Sequence, residues 1–365
     1  MNQGQRPVPQ RLLAEKLGIS QAAVSMALAG HPRISEEMRA RVLAMAESLG
    51  YRPDPALRSL ARYRRAARPE SYHATLAWVH SMESPDSWKG SAVYGEFFDA
   101  AARRAERLGY KLDNFWIDPN TLSDNRASQI LVSRGIRGLL LVPHGLPHHA
   151  YRLDWEKFSA VRLIDYTQEK PSLHCVATDH YLVALTVLDE VMARGYRRPA
   201  LITTRALDER LLNHPSAAYL ARSAAEKVEW PGVYWNDDCD EARFRRWLAK
   251  TKPDVLLLGY SEQTFRQVIR WVKSSGRAVP EELGYCMLCL PDQRFPDSEF
   301  SGLSGIDECW AELAERSVEL LVHSLEHFDV GLPDLHMRHL MQGRWVEGTT
   351  LRPRGARVIK ATRKK

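Results

Sequence analysis

Apolar residues at helical spacing open the chain. In LLAEKLGISQAAVSMALAG, residues 12 to 30, Leu13 and Leu17 lie four apart, Gly18 interrupts, and Val24 and Leu28 are again four apart. The pattern predicts two short helices meeting at one tight turn. A third helix follows: Ser35 is placed to cap it, Glu36 and Glu37 suit its positive end, and Met38, Val42, Met45 and Leu49 share a face before Gly50. Helices this short are marginal alone, so the three are expected to share one small core. YRPDPALRSLARYRRAARPE then reads as a linker containing one conditional helix and ending near Pro69, with Pro53 and Pro55 suited to a break and a new first turn.

From about His73 the pattern changes to strands alternating with amphipathic helices. ATLAWVHS, NFWID, GLLLVP, VRLID, CVATD, PALITT, GVYWND, PDVLLLGY and LGYCMLCL are the expected strands, and Phe97, Ala101, Ala105 and Leu108 mark a helical stripe between the first two. Such alternation favours parallel sheets flanked by helices. Close to ten strands suit two similar α/β lobes better than one. The expected organisation is therefore an all-α domain over residues 1–52, a linker with a hinge helix over 53–69, and a two-lobed α/β body over 70–365.

Charge sharpens this division. Residues 1–68 carry 12 basic and 5 acidic groups, whereas the remainder carries 39 and 40. An anionic partner such as nucleic acid therefore gains most at the N-terminus. The five cysteines, Cys175, Cys239, Cys286, Cys289 and Cys309, all lie far from the basic segment, and Cys309 is assigned to the last helix region. Cys286 and Cys289 have CxxC spacing, but they sit in an apparent buried strand with no second pair or histidine at metal spacing, so neither a metal nor a cofactor is expected. The opening residues lack an apolar signal region, and no stretch approaches eighteen consecutive apolar residues, which points to a reducing cytoplasm and no membrane partner.

Two helices joined by a glycine turn and backed by a third form a helix-turn-helix, whose second helix enters the DNA major groove. Ser20 begins that helix and can hold a phosphate with the nearby backbone N–H groups. Val24 and Leu28 turn inward, which leaves Gln21, Ala22, Ser25 and Met26 as the candidates for base contact. Ser35, at the start of the third helix, joins the DNA-facing set. An ordinary helical hairpin with a solvated face has the same local pattern; the basic linker favours DNA.

Residues 13 to 61, LAEKLGISQAAVSMALAGHPRISEEMRARVLAMAESLGYRPDPALRSLA, resemble the lactose-repressor (LacI/GalR) family of bacterial transcription regulators. The match spans the helix-turn-helix, the third helix, a Gly-Tyr-x-Pro segment and the hinge helix. The resemblance implies a homodimer on a palindromic double-stranded DNA operator, and an effector-binding body shaped like periplasmic sugar-binding proteins. It also implies that the hinge folds on DNA, with Leu60 wedging into the minor groove at the operator centre. An apolar side chain on a short basic helix is chemically suited to unstack a flexible base step, and Arg58 and Arg62 to neutralise the flanking phosphates. Many relatives carry arginine where this chain has Met26, and a long polar or aromatic residue where it has Ala22. Met and Ala offer only apolar contact, so Gln21 is left as the main hydrogen-bonding reader, with adenine its natural partner.

The resemblance continues more weakly through the body, in SRGIRGLLLVP, RLIDY, VATDHYLVALTVLDEVMARGYRRPALI and GRAVPEELGYCMLCLPD. Small molecules in such folds sit between the lobes near the carboxyl ends of strands. Asp179 matches a frequent ligand-contacting aspartate, and it can equally cap the helix that begins near His180. Tyr260 and Cys289 stand where relatives often have carboxamide or carboxylate groups, so the usual grip on a sugar is altered. Trp88 and Tyr94 are candidates to stack on a ring from the first lobe, and Asn213 and His214 to reach from the second. No catalytic motif appears in its required context, which favours a regulator over an enzyme. A soluble small-molecule-binding module, or a sugar-acting enzyme with a non-specific nucleic-acid-binding N-terminus, stays as the alternative.

Overall fold

The computed structural model describes residues 8–28, 34–51, 74–118, 120–142, 150–164, 170–226, 228–259, 262–290, 302–353 and 355. Its first three helices are α1 (Gln10–Leu17), α2 (Gln21–Leu28) and α3 (Glu36–Ser48). Gly18 ends α1 in the left-handed region, with φ of 68° and its N–H donating to Ala14 O, a conformation that strains residues bearing a Cβ. Leu13, Ala14, Val24, Ala27, Val42 and Ala46 fill the shared core, and Leu28, Met38, Met45 and Leu49 pack partly buried around it. Gln10 Nε2 donates to the Tyr51 hydroxyl at 3.0 Å, which ties the start of the bundle to its end.

Two six-stranded sheets make up the body. In the first, β1 (Ala74–His80), β2 (Tyr110–Trp116), β3 (Gly138–Leu141), β4 (Ser159–Leu163) and β5 (His174–Thr178) are joined by β11 (Arg338–Met341) in the order β11-β5-β4-β3-β1-β2, all parallel. In the second, β6 (Pro199–Thr203), β7 (Val233–Trp235), β8 (Val255–Leu258), β9 (Gly284–Met287), β10 (Gly305–Asp307) and β12 (Arg344–Val346) run in the order β12-β10-β9-β8-β6-β7, with only β12 antiparallel to its neighbour.

Both faces of each sheet are covered, which is why the central strands read as continuous apolar runs. Leu76, Trp78 and Leu140 face α4 (Ala92–Arg107) and α11 (Trp310–His327), while Ala77, Val79, Leu139 and Leu141 pack on the opposite side with α5 (Asp124–Ser133). In the second lobe α9 (Glu241–Thr251) and α10 (Glu262–Ser274) cover one face, and α6 (His180–Ala193) and α8 (His214–Ala225) the other, with the short α7 (Arg205–Arg210) ahead of α8 in the chain. Gly138 lets α11 close on β3: a Cβ there would lie 2.6 Å from Leu76 Cδ2 and 2.7 Å from Leu325 Cδ1.

The nine expected strands all form, and the structure adds β10, β11 and β12. These three span three or four residues each, and β11 and β12 hold half-buried and exposed residues at sheet edges, so their sequences carry no apolar run. They decide the topology. Among the described residues the chain passes between lobes from β5 to α6, from β10 to α11, and from β11 to β12. Cys309 is corrected accordingly: it lies outside the last helix, immediately ahead of α11, where it turns the second passage with φ of 57°.

Candidate functional site

On the N-terminal bundle the outward side of α2 carries Gln21, Ala22 and Ser25, all exposed, and the half-buried Met26. Val24 and Ala27 occupy the inward side. Ser20 is exposed and its hydroxyl oxygen accepts the Ala23 N–H at 3.1 Å. Its hydroxyl proton remains available to a phosphate oxygen. Ser35 caps α3 by accepting the Met38 N–H at 3.2 Å. Arg58, Leu60 and Arg62 lie outside the described residues. Replacing Gln21 with Ala is expected to cost about 1–3 kcal/mol of discrimination at one base pair and to leave non-specific binding unchanged; competition titrations with singly substituted duplexes check this.

The body's candidates separate into two groups. Asp179, at the carboxyl end of β5, accepts the Leu182 N–H at 2.9 Å and caps α6. Its own N–H donates to Met341 O at 2.8 Å, which joins the first interlobe passage to the third. Arg344 joins the third to the second, with Nε 3.0 Å from Cys309 Sγ and a 2.5 Å ion pair to Glu312. Cys289, just past β9, donates its thiol to Glu308 Oε2 at 3.4 Å.

Glu308 was not foreseen from the sequence, because it follows a three-residue strand with no recognisable pattern. It is only 4% exposed. Trp310 Nε1 donates to its Oε2 at 3.0 Å, the Thr178 side chain also bonds it, and His180 Nδ1 stands 3.4 Å from Oε1. The carboxyl group therefore meets the end of a first-lobe strand and the end of a second-lobe strand. Oε1 itself accepts no hydrogen bond. Burial pushes the Glu308 carboxyl up to about 7 and the His180 imidazole down to about 3. Dehydration favours the uncharged form of each, so between about pH 3 and pH 7 the pair is a neutral acid beside a neutral imidazole. Burial and the neighbouring Glu308 raise the Cys289 thiol as well.

His214, at the start of α8, is close enough for its charge to lower His180 further. Asp179, His214 and Cys289 thus gather around His180 and Glu308, and a carboxyl group stands beside Cys289 where the sequence alone showed none. Asn213, exposed and left-handed at φ 57°, precedes α8. Tyr260 lies outside the described residues.

Trp88 requires correction as a stacking platform. Its ring is 6% exposed and packs on Phe98 at 4.4 Å and Trp78 at 6.3 Å. The loop bearing it is pinned onto the sheet: Asn114 Nδ2 and Trp88 Nε1 both donate to Pro85 O, and Trp116 Nε1 to Met82 O. An isolated Trp between Ser87 and Lys89 in a polar loop gave no sign of that pinning. Tyr94 is half-buried, its ring tilted edge-on to Phe97 at 6.3 Å. Among the described residues no three His, Cys, Asp or Glu side chains are arranged to hold a metal ion, and no helix is long and apolar enough to cross a membrane.

Comparison with known proteins places these features. The model of bacterial regulatory proteins of the lacI family matches residues 13–54. The chain is similar to the HTH-type transcriptional regulator AglR of Rhizobium meliloti (strain 1021), 51% identical over 122 residues, 33% of this chain and 31% of that protein. The aligned stretch thus spans about a third of that curated relative's length. Among solved structures, the lac repressor dimer bound to operator and the anti-inducer ONPF aligns at TM-score 0.51 and 17% identity, over 95% of this chain and 100% of that one. The transcriptional regulator CelR–cellobiose complex aligns at 0.54 and 17%, over 94% and 100%. Residues 13–54 thus carry the helix-turn-helix signature of the lacI family of bacterial regulatory proteins, and the two-lobed body behind them has the fold of these solved structures.

Proposed function

We propose that this protein is a sequence-specific DNA-binding transcriptional regulator, a repressor in its usual promoter setting. It works as a homodimer on a palindromic operator and takes a small-molecule, sugar-like effector between the lobes of its body. The division into residues 1–52, 53–69 and 70–365 belongs to the same proposal, as does a cytoplasmic address. The observation that carries it is the exposed row Gln21, Ala22 and Ser25 on α2, held rigidly by the buried Val24 and Ala27 on a three-helix core. Side chains so placed reach base edges when α2 lies in the major groove. The names of the two structural neighbours, one on an operator and one with cellobiose, support the pairing of DNA and small molecule.

Effector binding changes the lobe arrangement that it prefers, and the lobes in turn set the distance between the paired hinge segments. The alternative of a sugar-acting enzyme has no catalytic sequence motif in its required context in its favour. In vitro selection of bound duplexes from random sequence tests the proposal. A palindrome with a flexible central step is expected; equal attraction to every duplex overturns it. On the selected operator, Leu60→Ala is expected to weaken binding roughly ten-fold or more, because the unstacked central step loses its wedge, while affinity for unrelated DNA stays the same. Electrophoretic titration of both duplexes reads the difference.

A further inference from the structure

The Glu308 cluster lies where the three interlobe passages converge. Thr178 ends β5 in the first sheet, His180 starts α6 over the second, Cys289 follows β9 and Asp307 ends β10 in the second sheet, and Trp310 starts α11, which returns to the first. A hydrogen-bonded carboxyl group shared among these elements couples the two lobes directly. The passage is also sterically tight: at Gly343, which links β11 to β12, a Cβ would sit 2.7 Å from Asp307 O and 2.7 Å from Ile306 Cγ2.

Among the described charged and titratable groups around Glu308, only the Cys289 thiol, through its hydrogen bond, favours a negative charge there. Asp307 raises the carboxyl rather than stabilising its ionised form, Cys289 faces it as a neutral thiol, and His180 is neutral. His214 disfavours a proton on His180. Arg344 is engaged with Cys309 and Glu312. When the carboxyl loses its proton to bulk water, the charge can be rehydrated only if the junction loosens.

We infer that Glu308 and His180 form a proton-linked latch between the lobes, so that deprotonation of Glu308 loosens the junction and changes operator affinity without any effector. The DNA readout of this latch rests on the regulator reading above. Burial places the transition of the closed junction near pH 7. With an ordinary carboxyl in the loosened form, the ratio of loosened to closed protein rises about ten-fold between roughly pH 6 and pH 8, levelling off above the transition.

The test uses the full chain at constant ionic strength. Operator affinity is measured by fluorescence anisotropy on the selected duplex, and the radius of gyration of the DNA-free protein by small-angle scattering, both at about pH 6, 7 and 8. The wild type is expected to change several-fold in affinity, with a parallel change in scattering, and Glu308→Gln, which keeps the neutral shape, to show neither. Identical profiles in wild type and Glu308→Gln, or a flat wild-type scattering profile, overturn the latch. Absence of any duplex preference overturns the regulator reading instead, and scattering alone then decides the latch. Thr178→Val serves if the glutamine variant fails to fold: it removes a hydrogen bond that favours the ionised carboxyl, so the wild-type transition must move to higher pH, and an unmoved transition overturns the latch.

Discussion

Replacing Arg194 with alanine is expected to destabilise the second lobe by about 3 kcal/mol, the size associated with removing one partner of a buried ion pair. The Arg194 side chain is 1% exposed at the end of α6. Nη1 pairs with the Glu190 carboxylate at 2.5 Å and donates to the Glu190 carbonyl at 2.8 Å; Nη2 bonds Glu347, and the guanidinium lies 5.1 Å from the centre of the Trp345 ring. One side chain thus ties the end of a core helix to the segment after β12. Its loss leaves a helix-terminal carbonyl without that donor, a largely buried carboxylate without its cation, and a void beside Trp345. Glu347→Ala is the informative comparison, because that carboxylate is 56% exposed and solvent already screens it. Its removal is expected to cost under about 1 kcal/mol. Thermal melts should show the alanine at 194 lowering Tm by roughly 6–12 °C; an Arg194→Ala loss no larger than that of Glu347→Ala would remove the basis for this assignment.

The second large effect is a reversal in the pH dependence of stability between two single variants. Glu308 has a folded-state value of about 7 against 4.5 when free, so the folded protein keeps a proton that the unfolded chain releases. Its contribution falls as pH rises from about 4.5 to 7 and is constant beyond. His180 is opposite: its folded value is about 3 against 6.5 when free, so the folded protein refuses a proton that the unfolded chain takes up. Its contribution falls as pH drops from 6.5 towards 3. Between about pH 4.5 and 6.5 the two slopes oppose each other in the wild type, the complete effects being on the order of 3 kcal/mol for Glu308 and 5 kcal/mol for His180. Glu308→Gln leaves the histidine effect, so stability should rise with pH in that window. His180→Gln leaves the carboxyl effect, so stability should fall. Other titrating groups add a background common to both variants, and the difference between their slopes near pH 5.5 carries the prediction. Denaturant titrations at closely spaced pH values measure it, and equal slopes in the two variants refute it.

The latch and this stability reversal rest on the same contacts but fail separately. Stability compares folded with unfolded protein, whereas the latch compares two folded arrangements. A junction that stays closed while its carboxyl ionises would show the reversal with no scattering change.

The amino-acid order alone determined the N-terminal bundle, because its interactions are local: helices separated by a few residues, a glycine suited to a left-handed turn, a serine cap, and six small apolar residues that meet across short distances. It determined the first nine strands, the central ones among them for a related reason, since a strand covered on both faces has to be apolar throughout. It also showed Asp179 as the cap of α6, a contact spanning three residues. Tertiary structure alone decided which lobe each late segment joins, that Trp88 is core, and that Glu308 faces Thr178, His180 and Cys289. Most of those contacts connect positions far apart in the chain, up to about 160 residues for β11 on β5, through short strands that carry no apolar run. A buried carboxyl group looks in sequence like any surface glutamate; only the walls that the fold builds around it remove its water and give it a different chemistry.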